Sequence, residues 1–206
     1  MAVNKKPIER IYPKDKRVEP QTIAHHKARY KFAARLRKIR GGIIYDFGCG
    51  TGYGTEMLRR AGYEYARGFD ISEKAINFAS ANYRKCKFLV EDLAHSEFPA
   101  ESFCDLVTMF EVIEHLKHDV GVKLVKDAYR LLRPGGIFMM STPRDSNKYN
   151  DFHLSEWPYH EIKNVLGPIF EEVRIYGQDW DTAKITDKNV PNEDFYIAVC
   201  TKLKIK

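Results

Sequence analysis

The sequence contains no apolar run near the length of a membrane-spanning helix, and its first residues show no secretory signal. It holds only four cysteines in 206 residues, and no two of them form a C-x-x-C pair. Scattered cysteines of this kind argue against a disulfide framework and against a zinc site, so we expect buried thiols. The sequence therefore predicts a cytoplasmic protein without a membrane span.

An excess of positive charge is present but unevenly placed. The net charge is +6 with a pI near 9.0, and lysine and arginine concentrate in residues 5–40 and 202–206. This excess permits an anionic partner such as RNA without requiring one. Few aromatic residues stand among the basic ones, and in the predicted helix they are Tyr30 and Phe32, so a solvated helix face accounts for much of the charge.

The most informative stretch is an apolar run that leads into alternating glycines. The run Ile43–Phe47 predicts a buried strand, and Thr55–Arg60 predicts a helix. A strand that passes through a glycine turn into a helix is how doubly wound α/β folds hold a nucleotide-like ligand. Glycine lets the backbone approach such a ligand closely and adopt a positive φ. The glycines of this turn are Gly48, Gly50, Gly52 and Gly54.

The spacing of the glycines selects among ligands. A G-x-G-x-x-G dinucleotide motif fails because Tyr53 stands at its sixth position, and a P-loop fails because no Gly-Lys pair follows. The remaining D-x-G-x-G-x-G pattern, which starts at Asp46, resembles the first motif of class I S-adenosylmethionine-dependent methyltransferases. Adenosylmethionine carries an ammonium group and no phosphate, so Asp46 could face its ammonium side, where a pyrophosphate would be repelled.

Two later stretches resemble the same family. They are E-V-I-E-H-L at residues 111–116 and L-L-R-P-G-G at residues 131–136. Ubiquinone-biosynthesis O-methyltransferases and many sugar and small-molecule O-methyltransferases share them, and the resemblance covers about residues 22–200. It implies a Rossmann-like, doubly wound α/β fold with a seven-stranded, mostly parallel sheet whose last strand is antiparallel and lies beside the sixth. We expect an irregular arm over residues 1–20 and a methyltransferase domain over residues 21–206.

The resemblance also implies which strand ends bind the cofactor. Asp70, at the end of the second strand, would hold the ribose hydroxyls, as acids at that position do in related folds. Asp92 would face the adenine amino group, with Leu93 contacting the ring through its backbone. Phe110 would line the methyl-donor side. The full set of predicted cofactor-binding residues is Asp46, Gly48, Gly50, Gly52, Asp70, Ile71, Asp92, Leu93 and Phe110.

A helix is predicted over Gln21–Ile39, because Gly41-Gly42 ends the helical pattern. In the family this helix would pack over the cofactor cleft, which makes His26, Arg29 and Tyr30 candidates to touch the ligand. An ordinary amphipathic helix with a solvated basic face is the alternative. The apolar stripe expected to face the core is Ile23, Phe32, Leu36 and Ile39.

The acceptor side is predicted where the fourth strand ends. Glu111, Glu114 and His115 stand at positions i, i+3 and i+4, so one helical turn would point all three the same way. His153 follows the fifth strand at the same edge of the sheet. Glu111, His115 and His153 are candidate catalytic residues, because a carboxylate or an imidazole can act as a general base. All four residues could instead hold a divalent metal, or Glu114 and His115 could simply shape the pocket through local hydrogen bonds.

The E-x-x-E-H motif with a later histidine resembles RNA 3′-end 2′-O-methyltransferases, which use these residues as metal ligands. It also resembles a broad group of bacterial methyltransferases that share the H-x-A-R-Y, N-x-x-H-x-x-E and Y-G-Q segments found here. Members of that group often accompany surface-glycan and natural-product enzymes. We therefore expect adenosylmethionine-dependent O-methylation of a small-molecule or glycan-type acceptor. A metal-dependent RNA 2′-O-methyltransferase and a non-catalytic adenosylmethionine-binding module are the alternatives.

A long polar and acidic segment, Gly177–Asp194, precedes the last predicted strand and carries Trp180. Loops on a rigid scaffold often determine substrate choice. Trp180 could stack on a sugar or a base of the acceptor, or it could pin the loop to the core.

Overall fold

The computed structural model describes residues 18–36, 40–98, 103–144 and 152–203. Helices and strands alternate along the chain. The helices are α1 (Pro20–Leu36), α2 (Tyr53–Arg60), α3 (Glu73–Asn82), α4 (His118–Leu131) and α5 (Tyr159–Leu166). The strands are β1 (Ile43–Phe47), β2 (Tyr65–Asp70), β3 (Lys87–Val90), β4 (Cys104–Phe110), β5 (Leu132–Pro143), β6 (Glu172–Gln178), β7 (Ile185–Thr186) and β8 (Phe195–Thr201).

The strands form one sheet in the order β3-β2-β1-β4-β5-β8-β6-β7. The pairs from β3 to β5 are parallel, and β8 lies antiparallel between β5 and β6. The Rossmann-like α/β architecture and the antiparallel last strand are thus confirmed. The prediction of seven strands is wrong, because the two-residue strand β7 folds back from the polar loop and pairs with the end of β6.

The centre of the sheet is buried on both faces. All seven residues of β4 are buried, as expected for a parallel strand that helices cover on both sides. On one face, α1 and α2 pack together through Tyr30, Tyr53 and Leu58. On the other face, α4 and α5 cover a larger apolar cluster. Because β1, β2, β3 and β4 run parallel, their carboxyl ends lie together at one edge of the sheet.

Helix α1 differs from its prediction in the face that it buries. Its predicted apolar stripe of Ile23, Phe32 and Leu36 is only half-buried, and Ile39 lies outside the described residues. The face is partly polar because α1 contacts polar groups of β1 and β6 as well as apolar side chains. The residues that α1 buries are His25, Arg29, Tyr30 and Ala33. Of the predicted N-terminal arm, residues 1–17 lie outside the described residues.

The sequence predicts strands over residues 86–90, 137–141 and 169–176, and backbone hydrogen bonds explain why the boundaries of all three differ in the structure. Strand β3 starts after Cys86, because the Cys86 N–H closes the turn that follows α3. Strand β6 starts later than Ile169, because the N–H groups of residues 169 and 170 bond to Leu166 at the end of α5. Strand β5 extends through residues 132–143, because Gly135 and Gly136 pair with Lys202 beyond β8.

The expectations about cysteines agree with the structure. All four cysteines are free, and Cys49, Cys104 and Cys200 are buried, which raises the pKa of each thiol. Across the described ranges, no helix combines the length and the apolar character that crossing a bilayer requires.

Replacing Gly54 with alanine tests how α1 packs on α2. A Cβ at Gly54 would overlap the ring of Tyr30. We expect a loss of about 1–3 kcal/mol in the free energy of unfolding, measured in urea, because overpacking displaces α1. Helix propensity alone predicts the opposite sign, a gain of about 1 kcal/mol. Arg60→Ala, at the exposed end of the same helix, is the control, and equal stability of the two variants would contradict this packing.

Candidate active site

In the glycine loop between β1 and α2, Gly48 and Gly52 pack against neighbouring side chains, whereas Gly50 is open. Gly48, Gly50 and Gly52 all have positive φ, at 69°, 51° and 78°. A Cβ at Gly48 would overlap Val112, and one at Gly52 would come within 2.6 Å of the Phe88 ring. At Gly50 a Cβ would meet nothing within 4 Å. A ligand could therefore approach the backbone at Gly50, while its two neighbours fix the shape of the loop.

The Asp46 carboxylate lies beneath this loop and is fully buried. It accepts hydrogen bonds from the hydroxyls of Thr55 at 2.6 Å and Thr108 at 2.7 Å, and from Tyr30 at 3.2 Å. Burial raises the pKa of Asp46 to about 6, and the three hydroxyl donors oppose that rise. Asp46 thus faces interior hydroxyls, and not the open side of the loop where a ligand ammonium group would lie.

Asp70 ties the loop to the end of β2. Its carboxylate accepts from the backbone N–H of Gly50 at 2.9 Å and from that of Ser72 at 2.8 Å. Next to it, the side chains of Ile71 and Val90 are 59% and 50% exposed, which is unusual for apolar residues at strand ends. Asp70 and Val90 are register partners, so the exposed side chains of Ile71 and Val90 both lie at the carboxyl ends of β2 and β3. Val90 was missed from the sequence because its strand shows no clear alternation.

Asp92 lies at the same edge, after β3. Its side chain is 45% exposed and accepts from the Ala94 N–H at 3.0 Å and from His95 Nδ1 at 2.8 Å. The hydrogen bond from His95 lowers the pKa of Asp92. Leu93 is buried beside it. Asp92 therefore remains accessible at the edge, although its carboxylate already has local partners.

Two of the aromatic residues proposed for the site, Tyr30 and Phe110, pack against each other in the interior. Phe110 is buried, and the Tyr30 ring meets it edge-on with centroids 5.0 Å apart. Tyr30 also packs edge-on against Tyr53 at 6.0 Å, and burial raises the pKa of its hydroxyl, which donates to Asp46. Tyr30 thus acts through packing and through Asp46.

Arg29 of α1 is fully buried and lies beside Glu111, on the acceptor side of the site. Its Nε donates to Gln178 at 2.7 Å, its guanidinium lies 4.5 Å from the Phe195 ring centre, and its Nη1 is 3.0 Å from a Glu111 oxygen. Among the described residues, Nη2 has no hydrogen-bond partner, and neither does the buried hydroxyl of Tyr53. Buried polar groups are rarely left unsatisfied, so an anionic group of a ligand would suit this position.

His25, and not the predicted His26, belongs to the buried face of α1. Its Nε2 lies 2.5 Å from the Trp180 carbonyl oxygen, and burial lowers the pKa of its imidazole. The signal was present in the sequence, since His25 and Arg29 are four residues apart and so share a helix face.

On the acceptor side, Glu111 separates from the other predicted ligands. Only residues 113–115 form a short 3₁₀ turn, and Glu111 precedes it with a φ of 54°. Its carboxylate accepts from Ser141 Oγ at 2.7 Å and pairs with Arg29. The single helical turn expected to align Glu111, Glu114 and His115 is therefore absent. The residues that the structure brings together, with ligand atoms all within 4.8 Å of one another, are Glu114, His115 and His153.

Glu114 anchors the segment that carries His153. Its backbone oxygen accepts from Leu154 at 2.7 Å and Ser155 at 3.2 Å, which places the His153 ring 4.8 Å from the His115 ring. The Glu114 side chain is buried, and within the described ranges its Oε2 has no hydrogen-bond partner. Burial and the neighbouring Glu111 charge raise the pKa of Glu114 well above its usual value. Such a carboxyl is protonated or lies beside a cation.

Trp180 is attached to the core while remaining 40% exposed. Its ring stacks on Phe195 with centroids 5.8 Å apart, and its carbonyl oxygen accepts from Gln21. The tryptophan therefore pins the loop to α1 and β8, which was one of the two roles considered for it, and part of its ring still faces solvent.

Comparison with known proteins agrees with this geometry. Residues 45–140, which include the glycine loop, Asp70, Asp92 and the turn with Glu114, match the family model described as a methyltransferase domain. The match supports a class I S-adenosylmethionine-dependent methyltransferase.

Relatives and a solved structure point the same way. A probable S-adenosylmethionine-dependent methyltransferase of Mycolicibacterium smegmatis is 31% identical over 137 residues, covering 63% of this chain and 51% of that protein. A ubiquinone biosynthesis O-methyltransferase of Neisseria meningitidis is 32% identical over 114 residues, covering 50% and 45%. The N-methyltransferase NodS of Bradyrhizobium japonicum, solved with S-adenosyl-L-homocysteine, shares the fold at a TM-score of 0.69 and 19% identity, covering 89% and 88%.

The matched proteins are methyltransferases, which supports an enzyme of that type. Adenosylmethionine is the cofactor of these relatives. The chain spans about half the length of the curated relatives that it matches.

The buried Asp46 predicts a specific dependence of stability on pH. Its pKa of about 6 in the folded state lies above the usual aspartate value of 3.8, so the folded state holds the proton more tightly. The contribution is fully present below about pH 4 and is lost as pH rises through about 6, on the order of 3 kcal/mol. Urea unfolding at pH 4 and 7 should show a steeper fall in stability for the wild type than for Asp46→Asn.

Asp187→Asn makes the same chemical change on the surface and should retain the wild-type pH dependence. Parallel pH profiles for wild type and Asp46→Asn would mean that Asp46 titrates normally in the fold.

Proposed function

We propose that the chain transfers a methyl group from S-adenosylmethionine to an oxygen atom of a small-molecule or glycan-type acceptor. The observation that carries the proposal is the glycine loop. Neighbouring side chains pack against it at Gly48 and Gly52, it is open at Gly50, and the Gly50 N–H donates to the Asp70 carboxylate. A pyrophosphate would meet the Asp70 charge at this point, whereas a phosphate-free nucleoside would not.

The residues present fit the donor piece by piece. Asp70 lies at the loop, where its carboxylate accepts from the backbone N–H groups of Gly50 and Ser72, and a carboxylate is a suitable acceptor for the ribose hydroxyls. The exposed apolar side chains of Ile71 and Val90 suit the flat adenine ring, and Asp92 lies at the same edge of the sheet. The unsatisfied donors of Arg29 and Tyr53 suit the carboxylate of the methionine part.

Bound adenosylmethionine supplies a methyl group on a sulfonium, which an acceptor oxygen can attack in line. The protein then has to position two partners and receive one proton. His115 and His153 are half-buried at the edge where the acceptor would enter, and imidazole is the side chain that most often acts as a general base. The ubiquinone O-methyltransferase relative supports an oxygen acceptor on a small molecule.

A metal-dependent RNA 2′-O-methyltransferase is the second candidate, and the group of Glu114, His115 and His153 favours it. One carboxylate and two imidazoles suit a divalent transition metal better than magnesium. The buried and unpartnered Oε2 of Glu114 fits such an ion. When bound there, the ion would polarise the acceptor hydroxyl and ease loss of its proton.

Replacing Gly50 with alanine tests the cofactor crevice. The added methyl would stand where the ligand approaches the loop, so we expect S-adenosylhomocysteine to bind at least about tenfold more weakly by calorimetry, a cost of about 1.4 kcal/mol. Gly41→Ala is the matched control, because Gly41 also has a positive φ and room for a Cβ, but lies before β1. Equal affinity of both variants would argue against binding at Gly50.

The two candidate functions separate in one assay. Labelled adenosylmethionine is offered with a pool of hydroxylated small molecules and glycans, or with RNA oligonucleotides that end in a free 3′ ribose, each with and without a chelator. We expect label in the small-molecule and glycan pool, retained in the presence of the chelator. Label in RNA alone, lost in the chelator and restored by manganese, would favour the metal-dependent function, and Glu114→Gln should then abolish it.

A further inference from the structure

We propose that Glu111 is a resident counter-anion of Arg29, which the carboxylate of the incoming cofactor displaces. The exchange would release the Glu111 carboxylate toward the acceptor side of the site. This inference rests on the proposed function, since it takes adenosylmethionine as the ligand.

The surroundings of Arg29 leave one side of its guanidinium for a ligand. Gln178 occupies Nε, and the Phe195 ring covers one face. Glu111 approaches Nη1 alone, and Nη2 has no hydrogen-bond partner in the part of the chain that the structure describes. Arg29 is fully buried, so its charge depends on whichever anion lies beside it.

The contact between Arg29 and Glu111 is an incomplete one. A carboxylate usually meets arginine through two parallel hydrogen bonds. Here one oxygen, Glu111 Oε1, lies 3.0 Å from Arg29 Nη1 and also accepts from Ser141 Oγ at 2.7 Å. The contact with Nη1 does not have hydrogen-bond geometry. A ligand carboxylate that reaches both Nη atoms would therefore be a better partner for Arg29.

The backbone of Glu111 is held in an unfavourable conformation. Its φ of 54° lies in the left-handed region that non-glycine residues rarely adopt, and such strain persists only where the surroundings enforce it. Arg29 and Ser141 hold its side chain in place. Loss of the Arg29 contact would remove one of these two partners.

The buried hydroxyl of Tyr53 indicates where the incoming carboxylate would lie. Tyr53 follows Gly52 at the start of α2. Burial raises the pKa of its hydroxyl, and the Arg29 charge opposes that rise. A carboxylate between them would satisfy the Tyr53 hydroxyl and Arg29 Nη2 together. The carboxylate of the methionine part would then replace the Glu111 carboxylate as the anion beside Arg29. Glu111 would become available to the acceptor side once the donor is bound.

The test compares two ligands by calorimetry. S-adenosylhomocysteine carries the amino-acid carboxylate, and 5′-methylthioadenosine lacks the whole amino-acid part. Glu111→Gln removes the competing charge, so it should tighten S-adenosylhomocysteine binding at least about fivefold and leave 5′-methylthioadenosine unchanged. Arg29→Gln should weaken only S-adenosylhomocysteine. Glu156→Gln, an equal loss of charge on an exposed residue, should change neither.

Ser141→Ala provides a second variant with Glu111 intact. It removes the hydrogen bond that holds Glu111 toward Arg29, so it should also tighten S-adenosylhomocysteine, by less than Glu111→Gln does. Weaker or unchanged S-adenosylhomocysteine binding in Glu111→Gln would overturn the proposal, as would equal shifts for both ligands. Wild type that binds neither ligand would instead refute the proposed function.

Discussion

The site depends on one buried carboxylate and the three hydroxyls that surround it. Asp46 lies in the interior one residue before the end of β1, and hydrogen bonds from Thr55, Thr108 and Tyr30 connect α2, β4 and α1 to it. A buried charge is tolerable only with such partners, and loss of one partner costs more than an ordinary hydrogen bond. The glycine loop lies directly after Asp46, so its shape is set by this junction and by the packing of Gly54 on Tyr30.

The same junction explains why α1 carries charged residues inward. Tyr30 contacts Asp46, while the preceding residue, Arg29, contacts Gln178 and Glu111, so the helix connects the donor side to the acceptor side. Gln178 then bonds back to the His25 carbonyl oxygen, and His25 lies against Trp180. The polar loop after β6 is thus attached to the helix that covers the crevice, and changes at either end would be felt at the other.

Features governed by local pattern were predictable from the sequence, and those governed by distant contacts were not. Strand β1 keeps its predicted bounds, Ile43–Phe47, because the glycine turn begins directly after it. The glycine loop follows from spacing alone. By contrast, Glu111 leaves the predicted ligand set because Arg29, 82 residues earlier in the chain, holds it. Strand β7 forms only because the edge of β6 offers it a partner.

The most direct measurement is a crystal structure of the chain soaked with S-adenosylhomocysteine, with a parallel soak in a dinucleotide. The account predicts density over Gly50, with the ribose on Asp70, the adenine against Ile71 and Val90, and no dinucleotide in the crevice. An empty crevice, or a pyrophosphate compound lying on the loop, would contradict it.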